Sequence, residues 1–548
     1  MNNQTNTIVN LSHLILNKIT NLIDDNIDKI CFSLVCKRWF DDRDKYLIFN
    51  TDNIYISSVN SIEIKDFKNN QYFRLKSYEN IFHKSIESKN DCVLIIAKNK
   101  FNLITFWEMQ RTQNFIYYED KIREIEYFPS YITKIDIKTD FSNEKDLIHF
   151  YRALNKSQSV TELNRCGTLK YGIPQSIRKL SFTSLFNEEL VKGCLPANLV
   201  TLEFGTYFNK QIKNGILPES LVSLKLCRVY NFPPETGVLP ASLKVLSISS
   251  EMPLKVGSLP NGLEKLTLSD HQKLPIEDPG VLPQSLKILK GIPHSWLPVL
   301  HLPNLHYLSV VVTNQNLNDS GTINFDQLPS NNLKTFKMEI AYLLTGTVPT
   351  SITNLVLRKS RLDFNKLFPK TLQYHFERFE CSIDPSQIPN NISIDRLVVE
   401  LNEPVTSIPH QIQSVSFNTE SWFYNKLIKC RIPRTVTELK IPFKNTKLPI
   451  VLPNSIETIH MFDHELSECM DLIPTSVKTI IFTKPVQLLN DIPQNIKNIT
   501  NFIMPGHFAI RKLDENYYII LGSYSHESVT KIFHHSKLSL FLSDPLYK

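Results

Sequence analysis

The chain is short of the residues that build a chemical site. Its fourteen glycines form no Gly-x-Gly-x-x-Gly or Walker-type loop, and no Gly-x-Ser-x-Gly elbow is present. There is no Cys-x-x-Cys pair and no His-Glu-x-x-His, so zinc lacks a template. His534-His535 reads as a solvated pair, and no cofactor or metal is expected. No stretch approaches about eighteen uninterrupted apolar residues, so no membrane partner is expected. Met1-Asn2-Asn3-Gln4 lacks the basic flank and cleavage site of a secretory leader. Nine cysteines scattered from Cys31 to Cys469 show no pairing pattern, which reads as reduced thiols in cytoplasm or nucleus. The net charge of +7 is mild for 548 residues. Lysine and arginine form no dense block, and most aromatics fall at core positions, so nucleic acid is not expected as a partner.

What the chain has instead is a proline that keeps returning. It stands at Pro174, Pro196, Pro218, Pro240, Pro260 and Pro283, then at Pro329, Pro349, Pro369, Pro389 and Pro409, and finally at Pro433, Pro453, Pro474 and Pro493. Successive members lie mostly about 20 to 22 residues apart, the period of a solenoid of small stacked units. Apolar residues follow three, six and eight positions later: Ile177, Leu180 and Phe182; Leu199, Leu202 and Phe204; Leu221, Leu224 and Leu226; and so on to Val477, Ile480 and Phe482. The last two of each triplet are two apart, which is strand periodicity with both side chains on one face. One short strand per unit cannot stand alone, but stacked copies form a parallel sheet over a continuous apolar spine. Upstream, Pro129 with Ile132, Ile135 and Ile137 reads as an early unit.

The strand residues between core positions project to the opposite face. Lys179, Ser181, Thr201, Glu203, Ser223, Lys225, Ser247 and Thr267 are therefore the candidate contacts for a target protein. They are mostly small and polar, which suits a plain solvated face equally well. Between strands, Phe186-Asn187 and Phe208-Asn209 precede Gly193 and Gly215, with Gly237, Gly257 and Gly280 in the same place. Glycine there suits a turn with positive φ. The Phe would fill the return side, and the Asn side chain could bond the backbone of the next turn.

These features resemble the FNIP repeat family, named for a Phe-Asn-x-x-Ile-Pro-like core and related to leucine-rich repeats. The resemblance covers roughly residues 125 to 500 and is strongest over the units from 174 to 283. It implies a leucine-rich-repeat-like α/β solenoid that binds protein, and a source among social amoebae or the giant viruses that infect them. Units near Pro303, Pro369 and Pro389 are irregular; Leu305, Leu308 and Val310 sit one residue early.

The N-terminal residues read as short helices. Leu11, Leu14, Ile15, Ile19 and Leu22 recur at helical spacing, Asp24-Asp25-Asn26 breaks the pattern, and Ile30, Leu34, Val35, Cys36 and Trp39 form a second stripe. So short a segment cannot build a core alone and needs a partner surface or an end of the solenoid. The order Leu11, Leu14-Ile15, Lys18-Ile19, an acidic break, then Leu34-Val35-Cys36-Lys37-Arg38-Trp39 resembles an F-box, with Leu11-Ser12 where that family has Leu-Pro. The F-box resemblance implies docking to the adaptor subunit of a cullin–RING ubiquitin ligase. Leu14, Ile15, Ile19, Leu22, Leu34, Val35 and Trp39 are the expected docking face, provided they are not spent on internal packing. A helical cap on the solenoid is the alternative.

The expected organisation is an F-box-like domain over 8–50, a linker or degenerate repeats over 51–124, the solenoid over 125–500 and a C-terminal cap over 501–548. Within 51–124, Ile54-Tyr55-Ile56 and Val93-Leu94-Ile95-Ile96 look like strands. The function expected is that of a non-catalytic substrate receptor for ubiquitin ligation. A scaffold without a ligase link is the alternative. A third reading takes Cys469-Met470-Asp471 as the Cys-x-Asp of bacterial cysteine ligases, a three-residue match that chance supplies easily.

Overall fold

Each strand is introduced by a turn built on the recurrent proline. The proline carbonyl accepts the amide of the apolar residue three positions on, at 3.1 Å for Ile177, Leu199, Leu221 and Leu243. Proline offers no amide of its own, and this corner requires none. Two residues after the proline a hydroxyl ties one turn to the last. Ser220, Ser242 and Ser285 donate to the carbonyls of Leu199, Leu221 and Leu263 at 2.7, 2.7 and 2.6 Å. Thr435, Ser455 and Ser476 repeat the bond late in the chain at 2.8–2.9 Å. This Pro-x-Ser/Thr signature escapes a reading made on apolar spacing alone.

In the computed structural model the described residues are 7–50 (save 25), short stretches between 76 and 141, the uninterrupted run 143–249, then segments as far as 543. Ile54-Tyr55-Ile56, Pro493 and Cys469-Met470-Asp471 lie outside them.

The triplet residues are core. Ile177, Leu180, Leu199, Leu202, Leu243, Leu246 and Ile248 are fully buried, and so are Ile412 and Val415 far along the chain. Their strands pair in parallel with unbroken register, Lys179 opposite Thr201, Thr201 opposite Ser223, Ser223 opposite Val245 and Val245 opposite Lys265. Among the described residues the result is a 23-stranded sheet. Pro129's unit joins it through the strand Ile132–Ile137, and the one-residue shift at Leu305, Leu308 and Val310 leaves all three buried.

On the return side the aromatic rings stack from unit to unit, Phe186 on Phe208 at 5.9 Å and Phe208 on Tyr230 at 5.8 Å. Phe182, at the end of its strand, and Phe204, just past the end of the next, close against them at 3.8 and 4.0 Å. Beside the rings runs an asparagine ladder. The Asn187 side-chain oxygen accepts the Asn209 amide at 2.9 Å, and that of Asn209 accepts the Asn231 amide at 3.1 Å. Gly193, Gly215, Gly237 and Gly257 turn the chain with φ between 76° and 86°. Gly280 departs from the expectation: it lies in a short 3-10 turn, Pro279–Val281, without the left-handed φ.

Three further features depart from a uniform stack. The strand Cys92–Ala97, anticipated at Val93–Ile96, lies between Asn114–Tyr118 and Ile132–Ile137, so the first coils are not in sequential order. The return after Ile132–Ile137 carries a long helix, Glu144–Lys156, capped by Asn143, which accepts the Lys145 amide at 2.9 Å. From Asn501 the sheet turns antiparallel through Phe508–Lys512, Tyr517–Tyr524 and Glu527–His534.

The N-terminal helices α1 (His13–Asn21), α2 (Asn26–Ser33) and α3 (Lys37–Asp41) form a module of their own. Its core of Leu16, Ile27, Ile30, Trp39, Tyr46 and Phe49 takes in Tyr78 and Ile81, and also Ile519 of the last hairpin. Arg511 adds an ion pair to Asp28. The module is thus seated on the C-terminal end of the sheet while Ser85, bonded to Phe49, leads into the first strand at Cys92. A chain of that length spans at most roughly 25 Å. Laid flat, the sheet would run roughly 100 Å at ~4.8 Å per strand. The stack must therefore curve, its two ends drawn towards each other by the helical module.

Candidate functional site

Two surfaces carry the residues singled out in the sequence, the strand face of the solenoid and the outer side of the helical module.

On the strand face, neighbouring units match their charges. Lys179 reaches Glu162 at 2.7 Å and Lys225 reaches Glu203 at 3.4 Å. Ser181 donates to the Asn164 side chain at 3.2 Å. Thr201, Ser223, Ser247 and Thr267 are half-buried between them. The register brings all eight residues onto one face. Exposed pairs of this kind hold register more than they add stability. Further on the outward row is not open: Val356, Glu380, Val398 and Ser416 are buried, and Glu380 is held by Arg358 and by Arg378 at 2.9 Å.

On the helical module a rotation of ~100° per residue separates two sides of α1. Leu16 and Thr20 face the core, whereas Leu14 is 79% exposed, Ile15 46% and, at the helix end, Leu22 85%. Ile19 lies between and is half-buried. The turn between α2 and α3 adds Leu34 and Val35, the latter 62% exposed. Trp39 corrects the expectation: it is buried, stacks on Phe32 at 4.6 Å, and donates its indole N–H to the Val9 carbonyl at 3.2 Å. Arg38 secures the same corner through the Val9 carbonyl at 2.6 Å. The tryptophan is spent on internal packing and cannot serve a docking face. Single exposed leucines are ordinary, but here five large apolar side chains within 22 residues are exposed.

For chemistry four of the described thiols are poor nucleophiles. Burial pushes Cys166 up to about 11 and Cys381 up to about 12, and raises Cys194 and Cys227. A reactive cysteine needs the opposite shift and exposure. Among the described residues there is no cluster of His, Cys, Asp or Glu placed to hold a metal ion. Among them, too, no helix is long and apolar enough to cross a membrane.

Comparison with known proteins agrees with the register. The FNIP repeat family matches residues 168–207, 208–251 and 252–290. No curated protein sequence matches the chain. Among solved structures it is similar to CroV588, described as a novel circular LRR protein, with 18% identity over 71% of this chain and 77% of that one. The TM-score is 0.33, so the fold rests on this chain's own strand pairing. Residues 168–290 match the FNIP repeat and are set within a longer parallel solenoid of a kind suited to protein–protein interaction.

Proposed function

We propose that the chain is a substrate receptor of a cullin–RING ubiquitin ligase, in which the F-box-like module docks the ligase adaptor and the solenoid presents a target protein. One observation carries the reading. The module closes its own core around Trp39 and Ile519, yet leaves Leu14, Ile15, Leu22, Leu34 and Val35 facing outward. A helical cap needs only the inner side; the outer side asks for a partner. The mechanism is proximity, since holding ligase and target together raises their effective concentration without a catalytic residue in this chain.

A protein scaffold without a ligase link is the second reading, and the seat of the module on the last hairpin favours it, because that contact alone makes the helices useful. Co-purification from amoebal lysate separates the two. The native chain is expected to bring down adaptor and cullin, and a Leu14→Asp, Val35→Asp variant to lose them while keeping its circular dichroism spectrum. Both positions are exposed, so folding should be little affected. Failure of the native chain to recover adaptor, or undiminished recovery by the variant, would favour the scaffold.

A further inference from the structure

Beyond residue 354 the strand face is open along one row. The neighbouring row, with Val356, Glu380, Val398 and Ser416, is buried. Parallel register sets Asn354, Arg378, Arg396 and Ser414 side by side in the open row, and both arginines are exposed. The charges of this stretch are answered, with one exception. Glu377 accepts from Asn354 at 3.0 Å, Asp395 meets His375 at 3.4 Å, and Glu438 meets His460 at 2.8 Å. Lys440 is engaged as well. Glu380 is spent on both oxygens, one taken by Arg358 and the other by Arg378 at 2.9 Å. Arg396 is the exception: among the described residues its guanidinium has no hydrogen bond, ion pair or ring contact.

The backbone sets that guanidinium in place. Strand side chains ordinarily alternate between faces. Here Phe376 and Phe379 are buried, as are Ile394 and Leu397, so each strand leaves two consecutive residues outside, Glu377-Arg378 on one and Asp395-Arg396 on the next. Both strands take the same step, and pairing stays in register, Phe376 with Ile394 and Arg378 with Arg396. Two like charges therefore stand directly opposite one another on strands about 4.8 Å apart, an arrangement that costs stability. Glu380 offsets the charge of Arg378, and nothing in the described structure offsets that of Arg396. An arginine kept for stability would lie beside an acceptor. This one lies beside a second cation and faces solvent.

The charge balance narrows the acceptor. One cation is unmatched, so one negative charge completes the set. A phosphate group carries about two, and Glu377 and Asp395, one residue back on the two strands, would repel the second. A carboxylate fits, because the guanidinium fork takes its two oxygens together. We propose that Arg396 binds the carboxylate of an acidic side chain on the target protein, presented by a segment laid along the open row. The inference rests on the solenoid as the target-binding part of the chain. Its test leaves the adaptor out, so either reading can fail without the other.

The test follows arginine-selective labelling of the full chain by phenylglyoxal, read residue by residue from peptide masses. The probes, at equal ionic strength, are chloride, propionate, inorganic phosphate and a capped Thr-Glu-Thr peptide. Arg396 is expected to lose most of its labelling in propionate, and at lower concentration in the peptide, while the exposed Arg152 and Arg434 keep theirs. Melting supplies a second readout. Arg396→Gln removes a repulsion rather than a bond and should melt no lower than the native chain. Arg378→Gln leaves the buried Glu380 short of a partner and should melt lower. Absence of protection by propionate and the peptide, equal protection of Arg152 and Arg434, protection by phosphate alone, equal potency of peptide and propionate, or a lower melting temperature for Arg396→Gln would overturn the proposal.

Discussion

Phe208→Ala is expected to destabilise the centre of the solenoid by about 4 kcal/mol, the usual cost of removing a large buried ring. Phe208 is fully buried and stacked on both sides, with Phe186 and Tyr230, while Phe204 closes on it at 4.0 Å. Its carbonyl also accepts the Cys227 thiol at 2.9 Å. In a solenoid each unit touches only its neighbours, so one weakened interface is not averaged over the molecule. The effect should therefore appear as a splitting as well as a shift: denaturant unfolding followed by circular dichroism should resolve into two steps. Tyr207→Ala next door, on an exposed side chain, should change stability by less than about 0.5 kcal/mol. Equal effects at 207 and 208 would contradict the stacked-ring account.

Ile519→Asp is expected to release the N-terminal helices altogether. The strand Tyr517–Tyr524 serves two cores at once: Tyr518 and Ile520 point into the solenoid and Ile519 into the helical module, all three fully buried. An aspartate at 519 places an unpaired charge in the smaller core, a penalty of several kcal/mol. Fewer than a hundred residues with so few buried side chains cannot absorb that. Limited proteolysis should then cut within residues 10–50 while the solenoid survives as a resistant fragment. Removing the nearby ion pair with Asp28→Asn should do much less, since both partners are partly exposed. A module that stays resistant in Ile519→Asp would mean that its seat lies elsewhere.

Much of this architecture is legible in the sequence because it repeats. The proline, the buried triplet, the Phe-Asn pair and the turn glycines each recur in register, and repetition separates them from chance. What does not repeat was hidden. Asn143 and the helix Glu144–Lys156 are a single insertion with an ordinary cap. Ile519 stands in the continuous apolar run Tyr517–Leu521, and such a run marks a strand buried on both faces without saying what covers each. Trp39 shows the opposite failure. Its place in a family motif suggested contact with a partner, whereas helical spacing alone could not say which apolar stripe faces inward until the C-terminal hairpin was in place.

The central claim is that the helical module turns one side to the C-terminal hairpin and the other to a partner. Hydrogen exchange of the full chain, with and without purified ligase adaptor, tests it most directly. The account predicts new protection confined to residues 12–22 and 33–37, with residues 509–519 already slow and unchanged. Unaltered exchange at 12–22 and 33–37 in the presence of saturating adaptor would contradict it. So would adaptor-induced loss of protection at Ile519, which would mean that the two contacts compete for the same side.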